Sequence, residues 1–164
     1  MTDLPKSAQK VAHALQESGL DASIIEMRTP TRTADEAAAA CGCAPGQIVK
    51  SLVFRGNATG SPVLLLVSGA NRVDLETVAG PLGETLSRPD AGYVRDVTGY
   101  AIGGIPPLGH ATPLRTFIDA DLLTYPEVWA AAGTPTCVFA ASPARLAEAA
   151  GAEPIRMNNG SSEA

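Results

Sequence analysis

The sequence contains no long hydrophobic run. Although 45% of its 164 residues are hydrophobic, no segment approaches the ~20 consecutive apolar residues that a membrane-spanning helix requires. The N-terminal residues MTDLPKSAQK also lack the apolar stretch of a secretory signal peptide. We therefore expect a cytoplasmic protein that makes no membrane contact. A chain of this length is sufficient for one domain with a substantial core.

Cysteine and histidine are scarce. The three cysteines cannot all pair, and Cys41 and Cys43 are too close in sequence for an unstrained disulfide, so reduced thiols are expected. A structural zinc site would need further ligands, yet the two histidines, His13 and His110, are far apart in the chain. Structural zinc is therefore not expected, although ligands distant in sequence can meet in a fold, and we predict no metal ion or other cofactor.

Basic residues are outnumbered by acidic ones. The net charge of −5 and the pI of about 4.9 argue against a protein that coats DNA or RNA through a broad basic face. We expect no DNA binding, although a few local arginines could still bind the end of an RNA. The sequence also lacks the Gly-x-Ser-x-Gly and His-Glu-x-x-His motifs, so the usual signatures of covalent hydrolases and metallohydrolases are missing.

Helices and strands are predicted along most of the chain from periodicity, capping residues and turn-forming segments. The first predicted helix covers residues 7–18 and ends before Gly19, and a short alanine helix follows between the capping box Thr33-Ala-Asp-Glu36 and Gly42. A third helix is predicted at 75–79 after Asp74, and a further helical stretch at 82–86 beyond the Gly80-Pro81 break. The last predicted helix runs from Ser142 and Pro143 to Gly151. The predicted strands are residues 22–27, 48–54, 62–68, 93–95, 100–102, 114–119 and 136–141.

These elements predict an α+β fold. The expected architecture is a single domain with a mixed, mostly antiparallel and partly barrel-like sheet surrounded by short helices. Residues 48–54 and 62–68 should form an antiparallel pair, because a turn-forming segment separates them. We place the domain in residues 1–156 and expect a loose C-terminal tail at 157–164.

Lys50 is the most informative single residue. The chain has three lysines against nine arginines, and the other two, Lys6 and Lys10, lie near the first predicted helix. An ammonium group within an apolar strand must either face water or enter a pocket, where burial costs free energy unless an acceptor or an anion meets it. Because side chains alternate along a strand, the pattern alone allows both positions equally.

A second candidate site is the loop Gly103-Gly104-Ile105-Pro106-Pro107-Leu108-Gly109-His110. Its adjacent glycines allow backbone amides to approach a ligand, and its prolines stiffen the segment. Such amides can bind a phosphate, hydroxyl or carbonyl oxygen. A tight turn between two strands is the alternative, and His110 could be either a general base or a packing residue.

Other polar segments lie at strand ends and turns. Ser68 and Gly69 begin a connection that ends at Asp74, which is expected to cap the next helix. Asp119 ends another strand, and Thr134 lies in a Gly-Thr-Pro turn. The strand-end segments could line a cleft, but capping and turn structure explain all of them equally well.

Three segments taken together resemble the YbaK/ProX family of aminoacyl-tRNA editing domains. They are Gln47-Ile-Val-Lys50-Ser-Leu, Gly99-Tyr-Ala-Ile-Gly-Gly-Ile-Pro-Pro-Leu-Gly-His110 and Phe117-Ile-Asp-Ala-Asp-Leu-Leu. Their order and separation fit that family, and the likeness extends from about residue 7 to about residue 151. The combination of the strand lysine with the double-glycine loop is specific, whereas either feature alone would be weak.

The resemblance implies a metal-independent hydrolase that cleaves the ester between a wrong amino acid and the terminal adenosine of a tRNA. It matches Lys50 and Gly103 to functional residues of the family, so both are candidate catalytic residues. The candidate substrate-binding residues are Ser68, Gly69, Gly104, Ile105, His110 and Thr134. The expected partners are the 3′ end of an aminoacyl-tRNA and, in addition, a synthetase, because family members act freestanding or as an insertion in bacterial prolyl-tRNA synthetases.

Departures from the family bear on which amino acid is removed. Some members that remove cysteine carry a Ser-Gly-Gly-Lys-Arg-Gly loop and an aspartate near the C-terminal strand, whereas this chain has Ala132-Gly-Thr-Pro-Thr-Cys137. A tyrosine near the first strand of those members is not evident around residues 24–26. The sequence therefore argues against cysteine as the amino acid removed.

Two other classes of function compete with the hydrolase. One is a module that binds a nucleotide or an aminoacyl-adenosine-like ligand without turnover, and the other is a regulatory protein with a vestigial cleft. The presence of both Lys50 and the Gly103-Gly104 loop favours catalysis, while the acidic net charge favours the alternatives.

Overall fold

Strands β2 and β3 form the centre of one mixed sheet. The computed structural model describes residues 4–28 and 33–158. In sheet order, the strands of these residues are β1 (Ile24–Glu26), β7 (Cys137–Ala141), β6 (Val128–Ala131), β2 (Ile48–Gly56), β3 (Pro62–Ser68), β5 (Arg115–Asp119) and β8 (Glu153–Ile155), while β4 (Leu86–Ser87) pairs with the far end of β2. The β2–β6, β3–β5 and β5–β8 pairs are parallel, and the other pairs are antiparallel.

Five α-helices connect these strands within the described residues. They are α1 (Lys6–Glu17), α2 (Ala34–Cys41), α3 (Leu75–Leu82), α4 (Ala91–Thr98) and α5 (Pro143–Ala150), and short 3₁₀ turns occur at Pro45–Gln47 and Ala120–Thr124. Side-chain oxygens cap most of the helix starts: Thr33, for example, accepts a hydrogen bond from the Glu36 N–H at 3.1 Å. The capping residues Thr33, Asp74 and Ser142 therefore predict the starts of α2, α3 and α5, whereas α4, capped by Asp90, is not predicted.

Side-chain alternation along β2 and β3 divides the core into two layers. One face of the two strands packs with residues of α1, α4 and α5, and the opposite face packs with residues of α3. The first layer contains Val49, Val53, Leu64 and Leu66, and the second contains Phe54, Val63, Leu65 and Val67. A strand pair that is apolar on both faces lies in the middle of the domain.

The predicted fold class is confirmed. The chain forms a single α+β domain whose sheet is mixed and mostly antiparallel. The antiparallel pairing of the two apolar segments is also observed, with Leu52 opposite Leu65. The sheet does not close into a barrel, because β1 and β8 form separate ends of the strand order.

The predicted helix break at Gly80 and Pro81 is wrong. Helix α3 continues through both residues to Leu82 and ends at Gly83, whose φ of +81° is the left-handed conformation of a helix C-cap. Pro81 is the penultimate helical residue, so its missing N–H affects only the last turn. The second helical stretch predicted at 82–86 is absent, and Leu86 begins β4 instead.

The strands predicted at 93–95 and 100–102 are also wrong. Residues 93–95 lie in α4, because the Asp90 carboxylate accepts a hydrogen bond from the Tyr93 N–H at 2.8 Å and starts a helix. Tyr100 follows that helix in a loop in which both its N–H and its C=O bond the Thr98 hydroxyl. These local hydrogen bonds replace the ladder of a strand. Conversely, the sequence pattern does not predict β6 or β8.

The C-terminal end of the described chain is packed against the domain. Met157 is 1% exposed, and its carbonyl accepts a hydrogen bond from the Asp74 N–H at 2.7 Å. The packed chain therefore extends at least one residue beyond the predicted domain limit at 156, whereas residues 159–164 of the predicted tail lie outside the described residues. No helix in the described ranges is long and apolar enough to cross a membrane.

Because β2 and β3 lie at the centre of the domain, shortening a buried side chain in these strands should lower the free energy of unfolding most. Leu66 is fully buried in β3, so Leu66→Ala should lower the free energy of unfolding by about 2–5 kcal/mol, because it leaves a cavity. Ile25 in β1 is 47% exposed, and Ile25→Ala should change stability by less than about 1 kcal/mol. Urea denaturation of both variants tests this, and equal losses would contradict the central position of β3.

Candidate functional site

A cleft opens beside β2, where one edge of this strand lacks a partner. β2 pairs with β6 only through Ile48 and Val49, and with β4 only through Arg55 and Gly56. Between these two points, no strand of the described chain pairs with that edge, although β3 pairs with the opposite edge throughout. The parallel strands β2 and β6 therefore diverge after their first two paired residues.

The register of β2 directs backbone groups toward this open edge. The Gly69 N–H donates to the Ile48 carbonyl, and the Gly56 N–H donates to the Ser61 carbonyl, so the even-numbered residues of β2 exchange hydrogen bonds with the β3 side. In an antiparallel pair the intervening residues point their N–H and C=O groups the other way. The backbone groups of Ser51 consequently point to the edge where the cleft lies.

The cleft has a volume of about 300 Å³. Its walls come from α2 and the residue before it, residues 48–52 of β2, residues 129–131 of β6, and the start of β7 with Pro135. The double-glycine loop contributes Gly103 together with its neighbours Ile102 and Ile105. Two segments that are distant in sequence, the β2 lysine and the glycine loop, thus line one space.

Lys50 is half-buried and lines the cleft. Its Nζ donates a hydrogen bond of 2.6 Å to the carbonyl oxygen of Asn71, in the connection between β3 and α3. Of the two positions that the strand pattern allowed, the pocket is therefore the one observed.

The surroundings of Lys50 make its charged form costly. Burial is the largest influence and lowers the pKa of Lys50, and the nearby Arg72 lowers it further, while Asp119 raises it. A partly buried ammonium needs oxygen acceptors, and without a ligand the Asn71 carbonyl serves as one. A phosphate or carbonyl oxygen of a ligand would meet the same need.

The double-glycine loop leaves two backbone amides without a protein acceptor. The Gly104 N–H donates to the Ala101 carbonyl at 3.1 Å, whereas the N–H groups of Gly103 and Ile105 bond no other described residue. Gly103 has a φ of +101°, which side-chain-bearing residues rarely adopt. Gly103 and Ile105 both line the cleft, so two residues of its wall have N–H groups that no described residue accepts.

Gly104 packs the loop against the turn that precedes β7. The Gly133 N–H donates to the Gly104 carbonyl at 2.8 Å, and a Cβ on Gly104 would lie 2.7 Å from the backbone N and Cα of Thr134. Only glycine allows this close approach. The position of Gly103 in the cleft therefore depends on the packing of Gly104.

A comparison with protein families identifies this architecture. The model of the aminoacyl-tRNA editing domain matches residues 28–149, which include β2, the glycine loop and β7. The chain belongs to the aminoacyl-tRNA editing domain family. Among individual proteins, this editing domain is similar to the uncharacterized protein YwhH of Bacillus subtilis, with 29% identity over 126 residues, or 76% of this chain and 79% of YwhH.

Further relatives carry functional descriptions. An Enterococcus faecalis protein described as "Putative Cys-tRNA(Pro)/Cys-tRNA(Cys) deacylase EbsC" is 30% identical over 104 residues, 62% of each chain. A crystal structure described as "a putative trans-editing enzyme for prolyl tRNA synthetase" superposes with a TM-score of 0.90 at 47% identity, covering 96% of this chain and 100% of that one. The hypothetical protein APE2540 has a TM-score of 0.83 at 31% identity, with 90% and 97% coverage. These similarities extend the family assignment to nearly the whole chain.

The editing domain brings only some of the predicted site residues together. Lys50, Gly103 and Ile105 line the cleft. The other predicted substrate-binding residues lie outside its lining: they are Ser68, Gly69, Gly104, His110 and Thr134. Gly104 supports the loop from behind, and the remaining four are engaged within the protein as follows.

Ser68 and Gly69 are packed beneath the start of β2. The Ser68 hydroxyl donates to the Gly46 carbonyl at 2.7 Å, and its N–H donates to Asp119 Oδ2 at 3.0 Å. A Cβ on Gly69 would collide with the carbonyl oxygen of Pro45. Both residues are therefore fixed by contacts inside the domain.

His110 and Thr134 also bond to protein groups. The Nε2 atom of His110 lies 2.7 Å from the Pro106 carbonyl oxygen, and burial lowers the pKa of this histidine, although the bond to Pro106 opposes the shift. His110 therefore stays largely neutral at pH 7 and stabilises its own loop. The Thr134 hydroxyl lies 3.1 Å from the Thr136 hydroxyl in the turn before β7.

Several lining residues are not predicted from the sequence. Ser51 contributes a buried hydroxyl that has no hydrogen-bond partner among the described residues. Trp129 also lines the cleft, and its being the single tryptophan of the chain is a sequence signal that could have marked it as a candidate binding residue. Cys41 also lines the cleft, but burial and the neighbouring Cys43 raise its pKa to about 11, so the thiol is protonated at neutral pH.

The two adjacent glycines predict different costs of substitution. Gly104→Ala should destabilise the editing domain most, because the new methyl group would overlap the backbone of Thr134. Gly103→Ala has room for a methyl group, 3.7 Å from Pro135 Cγ, and should cost roughly 1–3 kcal/mol through its positive φ alone. Thermal denaturation should therefore rank the stabilities as wild type, Gly103→Ala and Gly104→Ala, in decreasing order.

A glycine outside the loop supplies the control. Gly80 lies within α3 with open space around its Cα and no positive φ, so Gly80→Ala should leave stability unchanged or raise it by about 0.5–1 kcal/mol. If Gly104→Ala were as stable as Gly80→Ala, the packing of the loop on the turn at residues 133–134 would be refuted.

Proposed function

We propose that this editing domain is a trans-editing deacylase that hydrolyses the ester between a wrongly attached amino acid and the terminal adenosine of a tRNA. The observation that carries the proposal is that one cleft of about 300 Å³ is lined by a half-buried lysine and by two loop residues, Gly103 and Ile105, whose N–H groups bond no described residue. The family assignment supplies the class of substrate. As part of the translation machinery, the protein would act in the cytoplasm.

Lys50 orients the substrate by its charge. A phosphate or acyl oxygen of the terminal adenosine replaces the Asn71 carbonyl as the acceptor of the Lys50 ammonium group. This exchange satisfies the charge without leaving it unpaired in the cleft. Lys50 is therefore a binding and charge-stabilising residue in the proposed reaction.

The glycine loop stabilises the oxygen on which negative charge develops. When water attacks an ester, the carbonyl oxygen becomes an oxyanion, and backbone amides in fixed positions stabilise it more than the ground state. The amides of Gly103 and Ile105 are the donors that the loop leaves free. Since Gly103 cannot be replaced without strain, the position of this donor is fixed by the backbone.

Water is the nucleophile in the proposed reaction. Two cysteines line the cleft: Cys41 has a pKa of about 11 and is a poor nucleophile at neutral pH, and the side chain of Cys137 is fully buried. The ammonium group and the amides polarise the ester, so the proposal requires no metal ion. Among the described residues, no group of three or more histidine, cysteine, aspartate or glutamate side chains could bind one.

The acidic net charge limits the proposed contact with tRNA to its end. With a net charge of −5, the protein has little non-specific attraction for the RNA backbone. A cleft of about 300 Å³ has the size of a small-molecule site, which suits the end of one RNA strand better than a duplex. A synthetase that holds the rest of the tRNA is a fitting partner, and prolyl-tRNA synthetase is the first candidate because of the description of the similar crystal structure.

A panel of aminoacylated tRNAs tests the proposed function. The panel contains tRNA(Pro) carrying proline, alanine, serine or cysteine, together with Cys-tRNA(Cys) and Ala-tRNA(Ala). We expect hydrolysis well above the spontaneous rate for at least one tRNA that carries a small, wrong amino acid. Binding of these tRNAs without hydrolysis of any would overturn the enzyme proposal in favour of a binding module.

Substitution of Lys50 tests the residue assignment. Lys50→Ala should lower kcat/KM by about 100-fold or more, because it removes a charge-assisted contact worth roughly 3 kcal/mol. Lys6→Ala is the matched control: Lys6 is exposed in α1, and its removal changes the net charge equally. If Lys50→Ala and Lys6→Ala were equally active, Lys50 would have no role in the reaction, although the deacylase itself would stand.

A further inference from the structure

A buried polar network surrounds the acceptor of Lys50. Strands β3 and β5 are parallel neighbours, so their last residues, Ser68 and Asp119, meet at the same edge of the sheet. The connection that follows β3 turns back over this edge and brings Asn71 against Asp119. The network therefore lies directly behind the carbonyl group that accepts the Lys50 hydrogen bond.

Asp119 is the centre of this network. Its side chain is almost fully buried, with 1% exposed, and both of its oxygens are used. Oδ2 accepts hydrogen bonds from the Ser68 N–H at 3.0 Å and from Asn71 Nδ2 at 2.9 Å, and Oδ1 accepts one from the Asp121 N–H at 3.0 Å. A buried carboxylate bound in this way fixes the groups that donate to it.

Asn71 links this carboxylate to Lys50. Its amide nitrogen donates to Asp119 and also to Asp121 Oδ2, at 2.7 Å, while its backbone carbonyl accepts from Lys50 Nζ. Asn71 is itself 9% exposed, so its side chain has little freedom to leave these partners. One residue thus joins a buried negative charge to a half-buried positive one.

We propose that Asp119 is a positioning residue that acts through Asn71 to hold the ammonium group of Lys50 charged and oriented at the cleft. This role deepens the proposed deacylase function and rests on it. Asp119 does not line the cleft and need not touch the substrate. It fixes the acceptor of Lys50 when the cleft is empty and supplies the opposite charge that remains when a substrate takes the place of the acceptor.

Capping alone does not account for the arrangement. An N-cap role for the turn Ala120–Thr124 uses only Oδ1 of Asp119, which accepts from the Asp121 N–H. The other oxygen binds two donors from the β3–α3 connection, about 50 residues away in sequence. That second oxygen connects Asp119 to the site.

Charge supports the same assignment. The groups that act on Lys50 are Arg72, which lowers its pKa, and Asp119, which raises it and opposes the effect of burial. Asp121 is exposed and contacts the network through Asn71. Removing the charge of Asp119 leaves burial and Arg72 unopposed, so the pKa of Lys50 should fall.

Asp119→Asn is the variant that tests the proposal. It keeps the shape of the side chain and can keep the two hydrogen bonds at Oδ2, but it removes the charge and leaves the Asp121 N–H facing an NH2 group instead of an acceptor. If the reaction needs protonated Lys50, activity is lost as pH rises through the Lys50 pKa. The ratio of variant to wild-type kcat/KM should therefore fall with rising pH, reaching a loss of roughly 10- to 100-fold at alkaline pH.

Asp90→Asn is the matched control. Asp90 caps α4, does not line the cleft, and loses the same charge, while asparagine caps a helix equally well. Its pH profile should coincide with that of the wild type. Asn71→Ala provides a second variant, which retains the Asp119 carboxylate but removes the amide link, and should also lower kcat/KM.

A titration that needs no catalysis separates this inference from the proposed function. The chain has three lysines, so selective ¹³C labelling of lysine gives three side-chain signals, and Lys50→Ala assigns the one of interest. The Lys50 signal should titrate at lower pH in Asp119→Asn than in the wild type and in Asp90→Asn. If this shift appears in a protein that hydrolyses no aminoacyl-tRNA, the link between Asp119 and Lys50 stands and the deacylase proposal falls.

The converse results overturn the inference. If the wild type deacylates tRNA while Asp119→Asn shows neither the shifted titration nor the altered pH profile, Asp119 is only a structural cap. If Asp119→Asn fails to fold, Asn71→Ala decides the matter: wild-type kcat/KM in that variant would remove the link between the network and Lys50.

Discussion

Strand β2 is fully paired along one edge and paired only at its two ends along the other, and the candidate site depends on this asymmetry. Its first residues pair with β6 and its last residues pair with β4. The open segment between them includes Lys50 and Ser51. An edge that would ordinarily invite another strand is instead covered by α2 and the glycine loop, which leave room for a small ligand.

The site combines two kinds of donor whose positions are fixed in different ways. The loop amides are fixed by the backbone, because Gly103 adopts a conformation reserved for glycine and Gly104 packs against another main-chain segment. The ammonium group of Lys50 ends a flexible side chain, so neighbouring groups must fix it. The polar network behind Asn71 provides them. Rigid amides and a tethered charge together form a preorganised polar surface in a mostly apolar cleft.

Local rules predict much of this fold, and they fail in two ways: a local cap at Asp90 is missed, and some strands depend on contacts distant in sequence. Capping residues such as Thr33 and Ser142 define helix starts, and alternation defines β2 and β3. The same rules miss β6, whose four residues become a strand only through pairing with β2 and β7. For the site, the sequence singles out Lys50 and Gly103 but not their shared cleft, because the gap between β2 and β6 has no local signature.

Trp129 gives the cleft an optical property. It is the only tryptophan in the chain, and it lines the cleft at the point where β6 pairs with Ile48 of β2. The tryptophan emission of this protein therefore comes from one indole, and a ligand that fills the cleft would change the surroundings of that indole. Occupancy of the site is readable in the unlabelled molecule, independently of any turnover.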